Sequence, residues 1–145
     1  MDFEQIIASM PVGLERSLAR TMTFHKGELA FITREALLEE LRRQPGLAKT
    51  DDRKMRLAIQ SLRDKGLRIC HMERRENDAH GNLITVFGYF LAKTEQEYQE
   101  FRLHYNSYAQ TIWRSIKAMD EMRPVITPSG DLEPPPETAV QEHLF

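Results

Sequence analysis

The hydrophobic rhythm of this chain changes from helical to alternating at Gly66, and that change limits the folds open to it. Before it, in DDRKMRLAIQSLRDK, the apolar residues Met55, Ala58, Ile59 and Leu62 recur three and four apart, which puts them on one side of a helix. After it, LRICHMERR and LITVFGYFLA alternate in polarity, and the polar segment ENDAHGN joins them as the turn of a β-hairpin. Upstream, Thr33 is placed to cap the helix TREALLEELRRQ, whose buried side is Leu37, Leu38 and Leu41, and PGLAKT breaks the chain before the next helix. Thr50 is expected to cap that second helix, with Asp51 and Asp52 in its first turn, where the helix dipole favours carboxylates. The helix runs to Lys65, and Gly66 follows as its terminating residue. Helix, tight turn, helix and hairpin make a mainly α chain with a small β-hairpin, of the α+β class.

On the N-terminal side, Pro11 and Gly13 interrupt two short helical patterns, IIASM and LERSLARTM, and LAFIT (residues 29–33) reads as extended. On the C-terminal side, Thr94 and Glu97 form a capping box for a long helix. Its apolar residues Tyr98, Phe101, Tyr105, Tyr108, Ile112, Met119 and Met122 are three and four apart, with Ser115 as the one interruption. Such a repeat suits a seam between two copies of the helix, a homodimer built on Tyr98, Phe101, Tyr105, Tyr108 and Ile112. It equally suits a helix laid across its own domain. Beyond Arg123 the chain holds five of its seven prolines with acids between them, a composition that buries too little apolar surface to offset the entropy of ordering. The expected organisation is therefore a domain over residues 1–93, a long helix over 94–122, and a disordered Pro-rich acidic tail over 123–145.

Charge is distributed unevenly along this frame. The formal net charge is -2, yet twelve Lys or Arg stand against seven Asp or Glu between residues 33 and 75, while residues 120–145 hold six acids and one base. Partner choice follows that local distribution more than the total. On the helix of residues 51–65, Arg53, Arg56, Gln60 and Arg63 fall away from the apolar side at spacings of three, four and three. Arginine presents two donors to guanine O6 and N7, glutamine pairs with adenine N6 and N7, and either group can hold a phosphate instead. Leu57 lies beside the stripe, where it meets a thymine methyl or sits in solvent, and Lys49, Arg68, Arg74 and Arg75 extend the basic set, with His71 and His80 on or near the hairpin. A row of arginines on a helix is more often an ordinary solvated face. The order helix–turn–helix–hairpin favours the sharper reading, a winged helix-turn-helix whose second helix enters the major groove of double-stranded DNA.

The run GLAKTDDRKMRLAIQSLRDKGLRIC, followed by GYFLAKTEQEYQEF and a long helix, resembles the small winged-helix proteins of bacteriophages and prophages. Arg53, Arg56, Ile59, Leu62, Arg63, Gly66, Ile69, Gly88, Tyr89 and Leu91 carry the likeness, which spans roughly residues 27–122; the first 26 residues find no counterpart. The resemblance implies DNA binding in a bacterial host cytoplasm. The last five residues, QEHLF, resemble the peptide by which bacterial DNA polymerases and repair proteins dock on the sliding clamp, with Gln141, Leu144 and Phe145 matching and Glu142 standing where Leu is usual. That second resemblance implies a role in DNA replication, with Leu144 and Phe145 as apolar anchors.

Other chemistries find little support. There is no phosphate loop, and Cys70, His71 and His80 fall short of a zinc site, so neither a cofactor nor a metal is expected. Cys70 and His71 are strand neighbours that point to opposite faces, which makes a poor nucleophile and base, and the chain does not read as an enzyme. A lone cysteine, the opening MDFEQIIASM and the lack of an apolar run long enough for a bilayer fit a cytoplasmic protein with no membrane partner. Three classes of function stay open: a DNA-binding replication protein, a dimeric transcriptional regulator, and a protein-interaction module that uses the same fold without DNA.

Overall fold

Pro11 and Gly13 separate two N-terminal helices, α1 (Phe3–Ser9) and α2 (Leu14–Met22), in the computed structural model, which describes residues 2–122 and two later strands. α1 starts on a reciprocal cap: the Asp2 side chain accepts the Gln5 N–H at 2.8 Å, and the Gln5 side chain accepts the Asp2 N–H at 3.0 Å. Leu18, Ala19 and Met22 of α2 enter the core. The run expected to be extended over residues 29–33 is largely a 3₁₀ turn, Glu28–Ala30, and only Ile32–Thr33 forms a strand, β1. Leu29 points into solvent there, so the apolar surface the run offers the sheet comes from Phe31 and Ile32.

Thr33 caps α3 (Arg34–Arg42) by accepting the Ala36 N–H at 3.2 Å. At the next helix, α4 (Asp52–Asp64), the cap is Asp51, whose carboxylate accepts the Lys54 N–H at 2.8 Å. Thr50, the residue expected in that role, is buried with its hydroxyl donating to Leu47 O at 2.8 Å, while Arg42 Nε donates to the Thr50 carbonyl at 2.7 Å. The threonine thus closes the turn instead of opening the helix. Gly66, at φ +98°, ends α4 in the left-handed region that a side chain disfavours.

The hairpin strands β2 (Ile69–Asn77) and β3 (Leu83–Leu91) pair from Ile69 opposite Leu91 out to Asn77 opposite Leu83, and β1 adds to the free edge of β3, giving an antiparallel sheet in the order β1-β3-β2. Asp78 holds the connecting turn by accepting the N–H groups of His80 and Asn82, both at 2.8 Å. The ladder divides into two halves. Its base is buried at Ile69, Cys70, Tyr89, Phe90 and Leu91, whereas Arg75, Asn77, Leu83, Ile84 and Thr85 towards the tip are exposed. The apolar side of α4, Met55, Ala58, Ile59 and Leu62, packs into one core with Leu18, Met22, Leu37, Leu41 and Ile69. Burying each of the larger side chains contributes about 1.5–3 kcal/mol.

Gly88 in β3 has a specific packing role. A Cβ there would stand 2.2 Å from the Ile32 carbonyl oxygen and 2.5 Å from Phe31 Cζ, so its absence lets Phe31 lie against the strand. Phe31 in turn carries the Arg74 guanidinium, 4.3 Å from its ring centroid.

The long helix α5 (Glu95–Met122) begins on the expected capping box, with the Glu97 N–H on Thr94 Oγ1 and the Thr94 N–H on Glu97 Oε1, both at 3.1 Å. Glu97 also accepts the N–H groups of Glu28 at 2.7 Å and Lys93 at 2.9 Å. Burial opposes its charge, but these backbone donors outweigh burial and hold the carboxyl below the usual range. The structure divides into two compact units, Met1–Phe101 and Arg102–Phe145. The expected boundary after residue 93 moves into the helix because Glu97, Tyr98 and Phe101 pack on the first unit. In the second unit, Val125–Ile126 (β4) pairs antiparallel with Leu132–Glu133 (β5) in a stretch expected to hold no structure. Val125 and Ile126 are β-branched, a residue type that favours strands. The rest of the expected disordered tail lies outside the described residues. No helix among the described residues is long and apolar enough to cross a membrane.

Candidate nucleic-acid interface

α4 separates its two faces as the sequence spacing requires. Opposite the buried Met55, Ala58, Ile59 and Leu62, the side chains of Arg53, Lys54, Arg56, Leu57 and Gln60 are exposed. Leu57 is 60% exposed in the middle of this face, and Lys49 is exposed just before the helix. Among the described residues, Lys49, Arg53, Lys54 and Arg75 make no ion pair, so their charges are available to an anionic partner.

The basic stripe differs from the expected one at several places. Arg63 is half-buried and turned towards the sheet: Nε donates to Ile69 O at 2.8 Å, Nη2 donates to His71 Nδ1 at 3.1 Å, and the guanidinium lies 5.3 Å from the Phe101 ring centroid. It braces α4 against β2 instead of extending the stripe. Acids also border the stripe. Asp52 pairs with Arg56 at 2.9 Å, and Gln60 donates to Asp64 at 3.0 Å, because residues four apart on a helix are neighbours. An exposed pair such as Asp52–Arg56 contributes about 0–1 kcal/mol, little enough for Arg56 to exchange its carboxylate for a phosphate.

Arg34 is a cation the sequence argument passed over. Its Nε lies 3.5 Å from Asp52, and its guanidinium sits 5.7 Å from the Phe87 ring centroid, so the start of α3 joins the start of α4 through one carboxylate. The sequence signal was present in Arg34 as the first residue of a capped helix, but its proximity to Asp52 depends on the crossing of two helices. Just before the hairpin, Arg68 is engaged by Glu95 and stacks 3.9 Å from the Tyr98 ring centroid, and on β2 Arg74 donates to Glu28 O at 3.1 Å. These two arginines therefore fasten the first unit together. Arg75 is exposed, as is His80 at the turn.

No family model matches the chain, and no curated protein matches it. The case for function consequently rests on the residues themselves.

Two of the five seam residues expected on the long helix are occupied within the first unit. Tyr98 lies under Arg68, and Phe101 meets His71 edge to face at 5.1 Å and stands beside Arg63. Tyr105, Tyr108 and Ile112 are exposed. The expected clamp-binding residues Gln141, Leu144 and Phe145 lie outside the described residues. Among the described residues, no three His, Cys, Asp or Glu side chains gather as a metal site.

Cys70 is buried in the core, and burial pushes its thiol up to about 12, so it carries no thiolate near neutral pH. Iodoacetamide at pH 8 should leave the folded protein unmodified and label one thiol per chain in denaturant. Labelling of the native protein within minutes, followed by mass spectrometry, would contradict this burial.

Proposed function

We propose that the chain is a winged helix-turn-helix protein of the phage and prophage type that binds duplex DNA, with α4 in the major groove and the β2–β3 hairpin against the backbone or minor groove. The arrangement of α2, β1, α3, α4 and a hairpin in a β1-β3-β2 sheet suits that fold. The observation that carries the reading is the exposed face of α4, where Arg53, Lys54 and Arg56 surround Leu57 opposite a fully apolar side. Arg34 and Lys49 at the adjoining helix starts, and Arg75 on the hairpin, are suited to phosphates, while Arg53, Arg56 and Gln60 are suited to base edges. A place in replication rests on QEHLF alone, and a place in transcription rests on the helix beyond Phe101.

Fluorescence anisotropy of a labelled mixed-sequence duplex, titrated at two salt concentrations, tests the proposal. If four or five phosphates are neutralised, log K falls against log salt with a slope of about -4. Binding indifferent to salt, or no binding at low salt, would favour a protein-interaction module on the same scaffold, for which the net charge of -2 speaks.

A further inference from the structure

Beyond Phe101, α5 keeps its three-four apolar rhythm while exposure rises along it, from 36% at Tyr105 to 54% at Tyr108, 59% at Ile112 and 64% at Met119. These residues and Ser115 occupy the inward positions of an unbroken heptad repeat that starts at Tyr98. The first two members of the register are used by the first unit; the later ones form a stripe in the second unit along which Tyr108, Ile112 and Met119 are more than half exposed. We propose that this stripe docks against the same stripe of a second copy of the chain.

Three observations select a second copy as the occupant. A heptad seam is complementary to another helix with the same repeat, and a two-fold axis makes one such stripe complementary to itself. The positions flanking the seam are Arg102, Ala109 and Ile116 on one side and His104, Thr111 and Ala118 on the other, so two identical copies meet with one formal charge per copy beside the contact. The charged residues Arg114, Lys117, Asp120 and Glu121 fall elsewhere on the helix, and a strongly acidic or basic partner would find no complement in the seam. The polar interruption also tolerates burial. Ser115 Oγ donates to Thr111 O at 3.2 Å and Thr111 Oγ1 donates to Ser107 O at 3.0 Å, so closing the seam leaves neither hydroxyl without an acceptor.

Covering Tyr105, Tyr108, Ile112 and Met119 on both copies removes on the order of 1,000 Å² from water, the low end for a specific interface. The association is accordingly weak, with a dissociation constant in the micromolar range. Sedimentation velocity of the full chain should show the mass moving from one chain to two across that range. Ile112→Glu should raise the midpoint at least tenfold with an unchanged far-UV circular dichroism spectrum. In a parallel seam Ile112, the middle of the stripe, meets its own counterpart, so Ile112→Cys should form an interchain disulfide there under mild oxidation, with Cys70 too buried to compete. A wild-type chain that stays monomeric at hundreds of micromolar overturns the proposal. So does an Ile112→Glu variant that pairs like the wild type, and so does one that loses helical signal, because the stripe would then be packing within its own chain.

Discussion

Replacing Arg53 and Arg56 together by alanine lowers the affinity for duplex DNA about a hundredfold or more, if α4 is the groove-reading helix. Each arginine contact to a base or phosphate is worth about 1–3 kcal/mol, and residues one turn apart need not add exactly. The decisive feature is that stability should barely move. Both side chains are exposed, alanine is an equal or better helix former, and among the described residues the ion pair lost is Arg56–Asp52 on the surface. Arg63→Ala separates the roles in the opposite direction. It removes two hydrogen bonds to β2 and the contact with Phe101, so it should lower stability by about 1–3 kcal/mol. Anisotropy titrations beside thermal melts read both effects. Unchanged affinity in the Arg53→Ala, Arg56→Ala protein would remove α4 from the interface.

Gly88→Val should be the most damaging single substitution in the sheet, although valine is ordinarily favoured in strands. The first added carbon meets the Ile32 carbonyl oxygen at 2.2 Å, and that oxygen belongs to backbone paired with β3, so relief requires β1 to move. Phe31 can swing away, but doing so exposes its ring and removes the platform beneath Arg74. Overpacking of this severity costs about 3 kcal/mol or more, which for a unit of this size lowers the melting temperature by roughly 12 °C or more. Thr85→Val, in the exposed half of the same strand, should stay within about 0.5 kcal/mol of the parent. Equal melting of the two variants would mean that Phe31 and β1 yield without loss.

What the sequence made legible was whatever depends on neighbours along the chain. Met55, Ala58, Ile59 and Leu62 announce the buried side of α4 by spacing, and all four are buried. Thr94 and Glu97 announce their own cap, and Gly66 announces the end of a helix. Contacts made across the fold carried no such periodic signal. Arg63 has the same spacing from Arg56 whether it faces solvent or β2; the acceptor at Ile69 and the ring of Phe101 decide between them. The exchange of roles between Thr50 and Asp51 depended on one turn of backbone, for which both residue types are ordinary caps. Phe101 looked like a seam residue because helical spacing shows which residues share a face but not what that face meets.

The division of the hairpin has an evolutionary consequence. At its base, Ile69, Cys70, Tyr89 and Leu91 are fixed by the same core that holds α4, so inherited change there must be small or compensated. Towards the tip, the backbone ladder from Glu73 opposite Phe87 to Asn77 opposite Leu83 persists while Arg75, Leu83, Ile84 and Thr85 are exposed. Backbone pairing is largely indifferent to which side chain is attached, so a lineage can rewrite the exposed positions of this half in single steps, each leaving the fold intact, while Arg74 and Phe87 stay tied to the first unit. New binding preferences would then accumulate at the tip faster than anywhere on α4, where every third or fourth position is already committed to the core.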